Sequence, residues 1–378
     1  MVKKLLSIIP DLEIWWWAAK STITMGNKFI KEGYSNQYLT FYNTPKYNHL
    51  WHETCLNQTR QRGKGKWRIV FLWYMMQRAF IISKLCKKNN IDICISHIEE
   101  ANFSTILSKI VFKNKCKIIV QNHVSMQGLN IITKLLIKIL YPYADQIVSI
   151  SKEWANELNK IGKTLSIYNN FDSNEILTLA AANNPLKNKT KFTFITIGRL
   201  CKQKNQTSLL DAFDMYYKKN KDIQLLIIGN GELEKQLINK KNTLKSKNDI
   251  HFLPTTKNPY TYLKNSDCFV FSSIYEWLWR ALIEATICWV PIISTDCPIG
   301  TTEILSDTKN KALTLKEISI ENHWILVPTN NTEQLYLAMK RMYEDKSLRE
   351  NIKNASKKLI EKFDIDIAFN QWKIVFDT

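Results

Sequence analysis

Short runs of β-branched and aliphatic residues alternate with amphipathic stretches from one end of this 378-residue chain to the other. No other feature constrains the fold as much, because parallel strands joined by helical crossovers produce this pattern. Residues 4–9, 91–95, 117–121 and 146–150 read as strands, with a helix over 131–141. After a polar stretch at 183–191 a second series begins, with strands at 192–197, 224–228, 250–252, 268–272 and 290–294 and helices over 207–219, 231–240 and 280–287. Residues 345–363 read as helical and 368–376 as a second amphipathic segment. Two consecutive α/β series predict two Rossmann-like doubly wound domains, and the length suffices for two separate cores. We place residues 1–170 in the first domain and 171–363 in the second, with the closing segment 364–378 returning to pack on the first. Ligands of such sheets bind beyond the carboxyl ends of the strands, so the loops after Ile9, Ile197, Ile228 and Ser273 are where chemistry is expected.

Composition excludes some classes. No apolar run reaches the roughly 18 residues of a membrane span, and Pro10, Asp11 and Glu13 cut short the apolar start that a secretory signal would need, so the first ten residues read as a buried strand. Cysteines at 55, 86, 94, 116, 201, 268, 288 and 297 form no C-x-x-C pair and no Cys/His cluster of metal-ligand spacing. They read as reduced buried thiols of a cytoplasmic protein. The net charge of +19 calls for a polyanionic neighbour, and anionic lipid, phosphorylated substrates and nucleic acid all qualify. No nucleic-acid-binding module is recognisable, so nucleic acid is not expected. The stretch 67–88 brackets the apolar run 69–76 with Lys66, Arg68, Arg78 and Lys84. It suits either an anionic membrane surface or a core helix of the first domain.

Two loops hold the chemistry-bearing residues. In Tyr275-Glu276-Trp277-Leu278-Trp279-Arg280-Ala281-Leu282-Ile283-Glu284, the first glutamate follows an apolar strand and the second lies in the first turns of a helix. A helix N-terminus there would direct N–H groups at an anion. Spacing alone leaves open a solvated loop glutamate and an ordinary helix glutamate. In Thr196-Ile197-Gly198-Arg199-Leu200, followed by Gln203-Lys204-Asn205, a strand ends in a glycine, a forked cation and a point cation. That pair suits a diphosphate, with a surface turn as the plain alternative. Gly229-Asn230-Gly231 is by itself a tight turn opening a helix.

In this order and spacing the pieces resemble the retaining GT-B glycosyltransferases of glycosyltransferase family 4. The resemblance rests on the two loops above, on Ile228-Gly229-Asn230-Gly231-Glu232-Leu233, Asp267-Cys268-Phe269-Val270, Val290-Pro291-Ile292-Ile293-Ser294-Thr295-Asp296 and Glu303-Ile304-Leu305. In the first half it rests on Tyr143-Ala144-Asp145, Ser149-Ile150-Ser151-Lys152 and Ile167-Tyr168-Asn169. It implies two Rossmann-like domains facing across a cleft, and transfer of a sugar from a nucleotide diphosphate, by family frequency UDP, with retention and without metal or cofactor. Arg199 and Lys204 would hold the diphosphate, Glu276 the transferred sugar and Glu284 the ribose, while His123 would face the donor sugar. Gly198, Trp277, Leu278, Trp279, Asn230, Gly231 and Asn258 would complete the donor site, with Trp15, Trp16 and Trp17 at the cleft turn of the first domain. The acceptor would be a glycan or polyprenyl-linked saccharide. The implied location is cytoplasmic, peripheral on the inner face of the membrane.

The departures from the family pattern share one form. Trp15, Trp16, Trp17, Trp277, Trp279, Trp289 and Trp324 stand where the family has glycine, or glycine or proline at 279, in a chain with 10 glycines and 12 tryptophans. Average usage would give roughly 26 glycines. The pattern is that of a gene whose UGA codons specify glycine but are written as tryptophan. If the tryptophans are real, the expectation becomes a catalytically inactive binding protein that keeps the fold. Trp372, in the amphipathic closing segment, reads as a genuine tryptophan.

Overall fold

The computed structural model of the chain describes residues 2–12, 16–42, 53–58, 67–124, 126–276, 280–297 and 315–378. The chain forms two compact units, Met1–Phe171 together with Phe363–Thr378, and Asp172–Lys362.

The first unit contains β1 (Lys4–Ile9), α1 (Trp16–Lys31), β2 (Ser35–Tyr42), β3 (Glu53–Gln58), α2 (Trp67–Asn89), β4 (Ile93–His97), α3 (Glu99–Ile110), β5 (Lys117–Asn122), α4 (Ile131–Leu140), β6 (Gln146–Ser149), α5 (Lys152–Leu158) and β7 (Thr164–Ser166). The second contains α6 (Ser173–Ala180), β8 (Phe192–Ile197), α7 (Gln206–Tyr217), β9 (Ile223–Ile228), α8 (Glu234–Thr243), β10 (Ile250–Leu253), α9 (Tyr260–Lys264), β11 (Cys268–Phe271), α10 (Arg280–Ile287), β12 (Ile292–Thr295), β13 (Ser319–Ile320), β14 (Ile325–Val327), α11 (Thr332–Glu344) and α12 (Lys346–Leu359). A final helix, α13 (Ile365–Asp377), returns to the first unit.

Each unit is built on one sheet. The first runs β3-β2-β1-β4-β5-β6-β7 and the second β10-β9-β8-β11-β12-β14-β13. Every pairing is parallel except β13 with β14. Helices cover the sheets, so strands such as β4 and β11 are buried along their whole length, which explains their nearly unbroken apolar runs. In both sheets the order reverses beside the first strand of the series, at β1/β4 and at β8/β11. Adjacent loops diverge there and leave a crevice at the carboxyl ends.

Three strands of the first unit, β2, β3 and the three-residue β7, lie outside the sequence reading. β2 carries Ser35, Asn36 and Gln37 before its buried Tyr38, Leu39 and Phe41, and β3 is as polar, so neither shows the apolar run by which the other strands are recognised. The helix expected over 231–240 starts at Glu234, because residues 229–233 fold back onto Leu200. The strand expected from Val290 starts at Ile292, because residues 288–291 close the C-terminus of α10. The closing helix packs on α1 through an aromatic cluster in which Phe29 meets the rings of Phe369, Trp372 and Phe376 at 5.2–6.2 Å. Trp372 is buried there.

Candidate active site

The β8/β11 reversal point brings the two chemistry-bearing loops together. Arg199 and Lys204 follow β8, Glu276 follows β11, and Lys204 Nζ lies 2.6 Å from Glu276 Oε1. Glu276 is buried, and its other oxygen accepts a hydrogen bond from Gln203 Nε2 at 3.2 Å, while the same amide donates to Tyr275 O at 2.9 Å. The pairing is braced by backbone. Ile274 N donates to Gln203 O and Ser272 Oγ to Lys204 O, each at 2.8 Å. Lys204 also stands 5.1 Å from the centre of the Phe271 ring. A cation and a carboxylate from strands far apart in sequence are thus fixed at the carboxyl end of the sheet, where their attraction is weakly screened.

Arg199 is mostly exposed and reaches Glu232 Oε2 from Nε at 3.1 Å. Its carbonyl accepts from Gln206 Nε2. Gly198 lies beneath the Lys204 side chain, where a Cβ would come within 3.3 Å of Cε. The Gly229-Asn230-Gly231 turn packs directly on this loop, with Leu200 N donating to Asn230 O at 2.9 Å. A Cβ on Gly229 (φ +149°) would meet Gly198 O at 2.0 Å, and one on Gly231 would meet Leu200 O at 2.3 Å. Close approach of two backbones is therefore what demands glycine here. The side chain of Asn230 accepts from the Thr255 backbone and hydroxyl, and Asn258 donates to Leu179 O and accepts from Tyr260 N. Both asparagines fix loops at the sheet edge.

Glu284 is buried on α10, 3.2 Å from Tyr260 Oη and 3.4 Å from Arg280 Nη2. Neither partner was singled out in sequence. Only a tyrosine opening α9 and a helical i,i+4 pair could have signalled them.

In the first unit His123 is completely buried at the carboxyl end of β5, with Nε2 3.2 Å from Nδ1 of His97 at the end of β4. Burial holds both imidazoles in the neutral form, pushing His97 down to about 3 and His123 well below the usual range, with the neighbouring His97 adding to the latter. Glu99 begins α3 next to the pair, and burial raises its carboxyl to about 7. Arg78, in the stretch that suits either a membrane surface or a core helix, is buried, as a core helix would have it. It bonds Glu100 at 2.6 Å, Gln58 at 2.7 Å and Tyr42 at 3.0 Å, and its guanidinium lies over the Phe41 ring at 4.2 Å. Desolvating an arginine is tolerable only with its donors satisfied in this way.

Trp15, Trp277, Leu278 and Trp279 lie outside the described residues, and Trp16 and Trp17 open α1. The two remaining tryptophans at glycine positions differ from each other. Trp289 has φ +58°. Its N–H donates to Thr286 O at 2.9 Å and that of Val290 to Ala285 O at 3.0 Å, the two bonds of a Schellman helix terminus whose left-handed residue is ordinarily glycine. Trp324 has no left-handed backbone and is fully buried, its indole N–H without a partner among the described residues.

Residues 180–359 match the family described as glycosyl transferases group 1. The chain is 29% identical to an uncharacterized glycosyltransferase of Methanocaldococcus jannaschii over 99% of this chain and 98% of that protein. It is 27% identical, over 76% of each chain, to the Campylobacter jejuni N-acetylgalactosamine-N,N'-diacetylbacillosaminyl-diphospho-undecaprenol 4-alpha-N-acetylgalactosaminyltransferase. Among solved structures it superposes on Anabaena HepE in complex with UDP with a TM-score of 0.76 over the full length of both chains, at 15% identity. The fold is GT-B. The likenesses support a group 1 glycosyltransferase.

Proposed function

We propose that this chain is a retaining glycosyltransferase. In this reading it moves a sugar from a nucleotide diphosphate, UDP in the first instance, to a hydroxyl of a glycan or polyprenyl-linked saccharide without a metal. The Lys204–Glu276 pair across the reversal point of the second sheet is the observation that carries the reading. A cation held by a carboxylate at the carboxyl ends of central strands can share its remaining donors with a diphosphate, and exposed Arg199 can turn its fork to the same group. The anomeric bond to the β-phosphate breaks, the acceptor oxygen bonds on the same face, and the acceptor proton leaves with the diphosphate. The two cations stabilise the charge that develops on the leaving group. Glu284, oriented by Tyr260 and Arg280, receives the ribose hydroxyls. The Campylobacter relative, whose name describes an undecaprenol-linked substrate, favours a lipid-linked acceptor.

The same reading places the protein on an anionic membrane surface. Helix α4 exposes Ile131 (84%), Ile132, Leu135 and Ile139 beside Lys138, and α2 exposes Leu72, Trp73, Met76 and Phe80 above Lys84, Lys87 and Lys88. Apolar side chains flanked by lysines bind anionic bilayers through both burial and charge. No described helix is long and apolar enough to cross the bilayer.

In this proposal glycine occupies the seven positions written as tryptophan, and the left-handed Trp289 supports it. A second reading, an inactive binding protein of the same fold with genuine tryptophans, draws on Trp324, which is enclosed in the core on a backbone that needs no glycine. The codons separate the two, since UGG at most of the seven positions removes the first. Calorimetric titration of UDP-sugars into the chain as written and into its glycine-restored form tests the site. Equal affinity in both forms would mean that these positions lie away from the donor.

A further inference from the structure

Three thiols distant in sequence meet at the amino ends of the first sheet, the edge opposite His97 and His123. Cys86 comes from α2, Cys94 is the second residue of β4, and Cys116 immediately precedes β5. All three are buried. Cys94 Sγ is 3.2 Å from the sulfur of Cys86 and 3.2 Å from that of Cys116, and the third side of the triangle is 3.8 Å. The circle through these sulfurs has a radius of about 2.0 Å, so an ion with the ~2.3 Å bonds of a metal thiolate fits after each sulfur moves outward by about 0.3 Å.

The side chain of Asn114 borders the cluster, its oxygen accepting from the Cys116 backbone N–H at 3.3 Å. Cys116 also lines a 480 Å³ cavity with Lys109, Lys115, Lys117, Lys163 and Asp145, which gives an ion a route in and sets four cations near the charge of a thiolate complex. Among the described residues no further cysteine, histidine or carboxylate joins the group. Structural zinc and iron–sulfur clusters call for four protein ligands. Three soft sulfurs suit a soft monovalent ion.

We infer that Cys86, Cys94 and Cys116 form a three-thiolate site for one Cu(I) ion, a clamp tying α2 to the starts of β4 and β5. On loading, each thiol that is still protonated releases its proton to solvent as its sulfur coordinates, and the copper remains Cu(I), so no electron is transferred. The site is independent of sugar transfer.

The test titrates reduced, full-length protein with Cu(I) in the absence of oxygen against a colorimetric Cu(I) chelator. One equivalent should be withheld from the chelator with thiolate-to-copper absorption, and the melting temperature should rise by several degrees, because an ion that binds only the folded state stabilises it. Cys94→Ser should lose at least tenfold in retention, whereas Cys55→Ser, at a thiol outside the cluster, should retain the full equivalent. Independently of any variant, Cu(I) should protect Cys116 of the unmodified protein from alkylation, read by mass. Transfer of all the copper to the chelator, equal retention in Cys94→Ser, or unchanged alkylation of Cys116 would each overturn the site. A Cys86–Cys94 disulfide in freshly isolated protein would do the same.

Discussion

Replacing Trp289 isolates the cost of its backbone conformation. At φ +58° this residue is the C′ position of a Schellman terminus, fixed by hydrogen bonds on both sides, so it cannot relax to a right-handed conformation without breaking the end of α10. A left-handed residue bearing a Cβ costs about 1–2 kcal/mol more than glycine. Trp289→Gly alone is ambiguous, because it also discards the half-buried indole and its contact with Lys357, 5.6 Å from the ring centre. Trp289→Ala discards the same indole but keeps the Cβ. The difference between the two variants contains the left-handed penalty, reduced by the ~0.4–1 kcal/mol that glycine's freedom adds to the unfolded chain. We therefore expect the glycine variant to be more stable than the alanine variant by about 1 kcal/mol, the reverse of the order in a helix interior. In a unit spanning Asp172–Lys362 that difference corresponds to roughly 2–4 °C in melting temperature. Urea unfolding of both variants gives it directly, with equal m-values as the check that only stability has changed. An alanine variant as stable as the glycine variant, or more so, would refute the steric argument and remove the structural support for glycine at this position.

Four further outcomes are expected. In the glycine-restored protein, Arg199→Ala and Lys204→Ala should each lower turnover by roughly a hundredfold or more, as loss of a preorganised charge does; steady-state rates within a few-fold of the parent for both would remove them from the site. Transfer should survive EDTA, and complete loss restored by Mg²⁺ or Mn²⁺ would contradict charge stabilisation by the two cations alone. Burial raises Glu99 from 4.5 to about 7, so the folded state retains a proton that the unfolded chain has lost, and stability should fall as pH rises across that interval and stay lower above it. Glu99→Gln should flatten this slope and raise stability at pH 8 by on the order of 2 kcal/mol, and parallel stability–pH curves would show that Glu99 does not titrate in this way. Flotation with anionic vesicles should capture the protein at low salt and fail for the triple variant Ile131→Glu, Leu135→Glu, Ile139→Glu; equal capture of the variant would exclude α4 as the docking face.

What could be read in the sequence follows from where the governing interactions lie. Strands buried on both faces announce themselves, which is why β1 and β8 have the bounds that their apolar runs suggest. β2 remained hidden because Ser35, Asn36 and Gln37 precede its apolar residues, and Asn36 bonds Ser7 on the neighbouring strand, a contact that no local pattern reveals. The site divides in the same way. Taken singly, Arg199, Lys204 and Glu276 read equally well as solvated charges, and only their combined order and spacing, through the family resemblance, single them out; the 2.6 Å pairing of Lys204 with Glu276 depends on β8 lying beside β11 across 72 residues of chain. Tyr260 and Arg280 gain meaning only through the carboxylate they converge on. Arg78 shows an ambiguity that only the fold resolves. Beside an apolar run it suits a membrane-facing or a core position alike, and Glu100, Gln58 and Tyr42, which satisfy it in the interior, come from elsewhere in the chain. Linear spacing likewise disperses Cys86, Cys94 and Cys116, although a helix end and two adjacent parallel strands bring their sulfurs within 3.8 Å. Residue type and local order thus identify groups that can do chemistry, while strand order decides which of them meet.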